Sequence, residues 1–137
     1  PFSNNWIELK PVGPLFRWSH TGRISDMHCV NFNEPSDLGW QDNYLCSYEN
    51  YGLQFDNGWG PPAGMQCVKL IEPKEDFRHT WNDNSLCYPA EKSYKMSWSV
   101  DGPLSEEGTE CVQITEPSDS NGWDNNYLCY DPKTFTQ

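Results

Sequence analysis

Hydrophobic and polar residues alternate over short runs along this chain, and no stretch of ten or more residues keeps a helical period. The runs are bounded by Gly, Pro, Asn and Asp, which predicts many short strands joined by turns, an all-β chain. The pattern also recurs. "CVNFNEPSDLGWQDNYLC" spans Cys29 to Cys46, "CVKLIEPKEDFRHTWNDNSLC" spans Cys67 to Cys87, and "CVQITEPSDSNGWDNNYLC" spans Cys111 to Cys129. Trp40, Trp81 and Trp123 lie 41 and 42 residues apart. A third shared piece precedes each copy: "LFRWSHTGRI", "GLQFDNGWGP" and "KMSWSVDGPL", with Trp18, Phe55 and Trp98 as equivalent aromatics.

Each unit of ~42 residues reads as about four strands. The aromatic run is the first. The "HTG", "DNG" and "DG" turns are hairpin signals, because Gly and Asn tolerate positive φ. A short strand then leads to the one that begins at the first cysteine, which stops at the Pro after Glu for want of an N–H. "NYLC" or "NSLC" is the last. Alternation puts Leu45, Leu86 and Leu128 on the core face. It turns Asn43, Asn84 and Asn126 inward too, where they are expected to satisfy loop backbone groups. The chain is expected to be one domain, 1–137, with repeats near 14–48, 51–88 and 93–130 and an N-terminal extension, 1–13. The extension's "WIELKPVG" offers Trp6 and Ile7 as anchors for an extra strand or for joining subunits into a homo-oligomer.

Three repeats of this length fit either a pseudo-threefold β-trefoil or a three-sheet β-prism. The stretches "RWSHTGRISDMHCVNF" and "WSVDGPLSEEGTECVQI" resemble the ricin-B-type β-trefoil lectins, in which a Cys-apolar-x-apolar strand follows an aromatic strand and a D-G turn. The resemblance implies the trefoil fold. It does not carry over that family's binding residues. Its Q-x-W signature is absent, and Asn31, Lys69 and Gln113 stand where its sugar-binding Asp would be.

Six cysteines, two in each copy, change the picture further. Six cysteines allow fifteen connectivities, but the repeat selects Cys29–Cys46, Cys67–Cys87 and Cys111–Cys129. Such bridges belong to an oxidising compartment, and a start at Pro1 without an apolar leader is expected of a secreted protein whose signal peptide has been removed. No run is long and apolar enough to insert in a membrane. The net charge of -11 makes nucleic acid a poor partner. Aromatics are 15% of a chain whose mean hydropathy is only -0.82, so they serve both core and any adhesive surface.

The candidate chemistry lies in the loops between paired cysteines. Glu34, Glu72 and Glu116 recur before Pro; Asp37, Glu75 and Asp119 follow three residues later; Asp42, Asp83 and Asp124 lie just after the tryptophans. Carboxylates accept sugar hydroxyls, and Trp40, Trp81 or Trp123 would offer an indole for a sugar ring to stack on, unless they serve as plugs over the loop ends. The second copy departs from the others, with a longer loop carrying Lys74 and Arg78, and Ser85 in place of Tyr. Calcium is a further candidate ligand, although it needs six to eight oxygens and no D-x-D-x-D-G loop is present. No other cofactor is expected. Three matching copies argue against a single catalytic pocket, even for the pair Glu34 and Asp42, so no enzyme activity is expected.

Three functions follow. The first is a secreted multivalent lectin, with glycans or glycoproteins as partners and up to three equivalent shallow sites. The second is a structural protein of an extracellular matrix or egg envelope. The third is a protease inhibitor acting through "YPAEKSY", with Lys92 as its specificity residue.

Overall fold

A computed structural model describes residues 14–34, 40–58, 61–71, 84–116 and 125–136. They form nine strands: β1 (Arg17–Ser19), β2 (His28–Asn31), β3 (Tyr44–Ser47), β4 (Gln54–Asp56), β5 (Met65–Lys69), β6 (Ser85–Pro89), β7 (Met96–Ser99), β8 (Glu110–Gln113) and β9 (Tyr127–Tyr130). Two 3-10 turns, Ala90–Lys92 and Pro132–Phe135, complete the elements, and the described residues contain no α-helix.

The strands make three antiparallel sheets, one per repeat, called lobes here. All three have the same order: β1-β3-β2, β4-β6-β5 and β7-β9-β8. The strand that ends each repeat is therefore central, and the other two flank it. The registers agree residue for residue. Trp18, Phe55 and Trp98 lie opposite Leu45, Leu86 and Leu128, and those leucines lie opposite Val30, Val68 and Val112 on the other side. The expected leucine face is the core, since Leu45, Leu86 and Leu128 are buried together with Phe32, Leu70 and Ile114.

The cysteines pair within lobes, as the repeat requires. Each pair also occupies directly opposed positions on neighbouring strands, with Cα atoms 4.0 to 4.1 Å apart. That is the close spacing of a non-hydrogen-bonded antiparallel pair, where side chains approach most nearly. By the loop-entropy model a bridge over a loop of this length contributes on the order of 3 kcal/mol.

Two expectations need correction. The glycine turns are not hairpins, because β1 and β7 pair with the last strand of their lobe and not with the next strand in sequence. The strand expected between the glycine turn and the first cysteine is also missing from the described residues, so each lobe has three strands there and not four. The central strand takes the pairing edge of the aromatic strand, and the glycine turn is held in another way. The hydroxyls of Ser19 and Ser99 donate to the carbonyls of Gly22 and Gly102 at 2.6 Å, curling the chain after the aromatic strand. These glycines, at φ 105° and 93°, then give their N–H groups to the carbonyls of Asp42 and Asn125. The turn is thereby tied to the loop that precedes the central strand.

The lobes meet cyclically through flanking strands: β2 with β4, β5 with β7, and β8 with β1. Two of these junctions are closed by an indole N–H, Trp98 donating to the Ile71 carbonyl at 3.0 Å and Trp18 to the Thr115 carbonyl at 2.7 Å. At the third, Phe55 has no donor and stacks on Phe32, ring centroids 5.0 Å apart. Beneath the sheets the linkers and the C-terminal turn supply an aromatic cluster. Phe16 stands edge-on to Tyr51, Tyr130 and Phe135, and Tyr94 stacks on Phe135 at 4.1 Å.

Candidate functional site

The acidic loops leave each lobe after β2, β5 or β8 and return at the central strand. Their two ends are built alike. The carbonyls of Asn43, Asn84 and Asn126 accept from the N–H groups of Phe32, Leu70 and Ile114 at 2.8 to 2.9 Å, which extends the antiparallel ladder to the loop base. In the first lobe the base is tightened by Asn43 N–H donating to the Trp40 carbonyl and by the Asn31 amide donating to the Gln41 carbonyl.

Of the candidate residues, four fall in the described set. Trp40 is 0% exposed and packs against Trp18, ring centroids 6.0 Å apart. It plugs the loop end and presents no open indole face on which a sugar could stack. Glu34 and Glu116 are also buried, at 6% and 8% exposure, and both have interaction partners. Buried carboxylates are seldom left unpaired. Asp42 is exposed, next to exposed Gln41. Asp37, Glu72, Trp81, Asp83, Asp119, Trp123 and Asp124 lie outside the described residues, as do Trp6, Ile7, Lys74, Glu75 and Arg78. What the structure brings together in the first lobe is thus a buried Glu34 and Trp40 with an exposed polar edge, Gln41 and Asp42.

The repeated asparagines point inward as expected. Asn43, Asn84 and Asn126 are fully buried, and among the described residues the side-chain amides of Asn43 and Asn126 meet no hydrogen-bond partner. Buried amides in such a position are ordinarily met by ordered water.

Compared with family models, curated proteins and solved structures, the chain has no match. The site must therefore be judged on its own chemistry. Among the described residues no three His, Cys, Asp or Glu side chains gather as metal ligands. No helix among them is long and apolar enough to cross a membrane. Lys92 closes the compact 3-10 turn Ala90–Lys92, with Ser93 beyond it at φ 56°, and does not stand on an extended loop.

One column of the repeat separates the lobes. The residue after the second cysteine is Ser47 in the first lobe but Tyr88 and Tyr130 in the others. Comparison of that single column marks where the lobes cease to be equivalent.

Proposed function

We propose that this protein is an extracellular carbohydrate-binding protein that uses its repeated loops multivalently, on a trefoil-like scaffold. The observation that supports it most is the identical register of three disulfide-locked sheets, which starts and ends every acidic loop at the same place in its lobe. Contact would run through exposed carboxylates and amides such as Asp42 and Gln41, accepting from and donating to sugar hydroxyls, and not through the sealed Trp40. Such shallow polar sites bind weakly one by one. Three on one molecule, facing a dense glycan surface, can raise avidity by roughly 10²–10⁴ without new contacts. The cyclic contact of the lobes favours the trefoil-like pseudo-threefold, whereas their separation into three distinct sheets is what a three-sheet prism would have. No catalytic role is proposed.

The test is a broad glycan array together with red-cell agglutination, each with and without calcium. Binding that weakens when Asp42 becomes Asn supports the reading; blanks in both assays remove it.

A second reading, a structural component of an extracellular layer, is favoured by a specific observation. Trp40, Glu34 and Glu116 are buried, so much of the repeated motif is explained by stability alone. Sedimentation showing ordered self-assembly, with no glycan bound, would select it.

A further inference from the structure

Opposite strand positions explain a cavity in the first lobe. In the second lobe the Tyr88 hydroxyl crosses to Gln66 Oε1 at 3.1 Å, and in the third the Tyr130 hydroxyl crosses to Glu110 Oε1 at 3.3 Å. These are the register pairs Gln66↔Tyr88 and Glu110↔Tyr130. The matching pair in the first lobe is His28↔Ser47. A serine cannot fill the space that a phenol ring takes, and a pocket of about 210 Å³ opens there, lined among others by Arg23, His28, Ser47, Asn50, Tyr51 and Leu53.

The lining is unusual for this chain. Among the described residues no Asp or Glu lines the pocket, although the chain carries 20 of them and a net charge of -11. Arg23 and His28 stand on its rim, the Arg23 guanidinium also 5.8 Å from the centroid of the Tyr44 ring. Buried Ser47 donates its hydroxyl to the Glu49 carbonyl at 2.8 Å, which leaves its oxygen able to accept. Asn50 accepts the Gly52 N–H on its Oδ1 at 3.0 Å, which leaves its amide N–H groups able to donate. Leu53, with Val30 and Leu45, adds apolar surface.

We propose that this pocket binds a small carboxylate-bearing ligand, specifically an acidic monosaccharide of the uronic acid kind. The planar guanidinium of Arg23 matches a carboxylate in two-point geometry, and His28 adds a second donor. Ring hydroxyls donate to Ser47 Oγ and accept from Asn50, while an apolar ring face covers Leu53. The volume is below the roughly 300–1,000 Å³ typical of pockets for drug-sized molecules, and suits a single ring. Ser47 and Asn50 lie at the end of β3 away from Trp40 and Asp42, whereas Arg23 follows Gly22, whose N–H donates to the Asp42 carbonyl, so on that side the pocket adjoins the base of the first loop.

The experiment is calorimetric titration of the whole chain at low ionic strength with glucuronate, glucose and acetate. Saturable one-to-one binding of glucuronate is expected, with glucose and acetate weaker by roughly tenfold or more. Ser47→Tyr, which installs the side chain that the other lobes hold at this position, should keep the folded near-ultraviolet signature and lose binding by more than about tenfold. Arg23→Gln, an exposed change, should weaken it about tenfold. The proposal is overturned by absence of saturable glucuronate binding, by unchanged binding in either variant, or by equal affinity for glucose or acetate. Agglutination retained by Ser47→Tyr while glucuronate binding disappears would separate this pocket from the loops.

Discussion

The first and third lobes share strand order, cysteine register and the serine–glycine turn tied to the loop base, yet they finish their central strands differently. In the third, Tyr130 drives into the aromatic cluster, edge-on to Phe16 at 5.0 Å. In the first, Ser47 stops short and leaves a cleft. The same frame thus serves packing in one place and accessibility in another. Repetition supplies the scaffold, and a single departure from it supplies an opening that symmetry would have closed.

Exchange of the two residues should break the comparison most visibly. Tyr130→Ser would carry the first lobe's choice into the third and strip a ring from the cluster. By analogy with large-to-small aromatic changes it should cost about 3–5 kcal/mol, read as a lower urea midpoint. The converse change, Ser47→Tyr, should cost nothing comparable; an equal loss in both would mean that the lobes tolerate the site alike.

Next in size are the bridges. Replacing Cys29 and Cys46 together by Ser, or Cys111 and Cys129 together, should each cost about 3 kcal/mol, because the closed loops are nearly the same length. Chemical denaturation of the two double variants should give matching losses; a large gap would show that one lobe is stabilised by more than its own staple.

Much of this frame was legible beforehand. The cysteine pairing, the leucine face and the equivalence of Trp18, Phe55 and Trp98 all follow from a period of two within a repeated unit, and the register returns them. The partner of the first strand was not legible. A glycine turn sets a local reversal of the backbone, but whether its two arms pair with each other depends on a third strand arriving later, here the one containing Leu45. The fate of Trp40 was equally hidden, since an indole beside a loop suits a plug or a platform, and only its packing on Trp18 decides. The opening at Ser47 was not legible in the repeat, because a shared motif is silent about the columns in which its copies differ.

The junctions between lobes offer a smaller contrast. Trp98→Phe would convert the junction of the second and third lobes into the donor-free kind that Phe55 makes. Loss of the bond to the Ile71 carbonyl should cost about 1 kcal/mol, seen as a modest drop in thermal midpoint. Phe55→Leu should also destabilise, by removing the stack on Phe32, but without leaving a carbonyl short of a donor.

The slightest effect at neutral pH concerns the Tyr130 hydroxyl. Burial, and then the neighbouring Glu110 carboxylate, push its pKa up to about 12 from 10.0. The folded state holds this proton more tightly than the unfolded state. Its contribution is therefore complete below about pH 10 and lost as pH rises from there through about 12. Tyr130→Phe should accordingly flatten the alkaline limb of a stability profile, while the first lobe, with Ser47 at this position, adds no such limb.

Because each cystine joins residues that face one another across adjacent strands, everything between them is a covalently closed excursion. A peptidase that nicks such an excursion leaves the molecule in one piece until a reductant reaches it. Lengthening or rewriting the excursion, as the second copy has done, does not alter where the chain re-enters its sheet. The variable parts of this protein are in that sense hung from fixed hooks, free to be cut, extended or replaced while the frame that carries them stays registered.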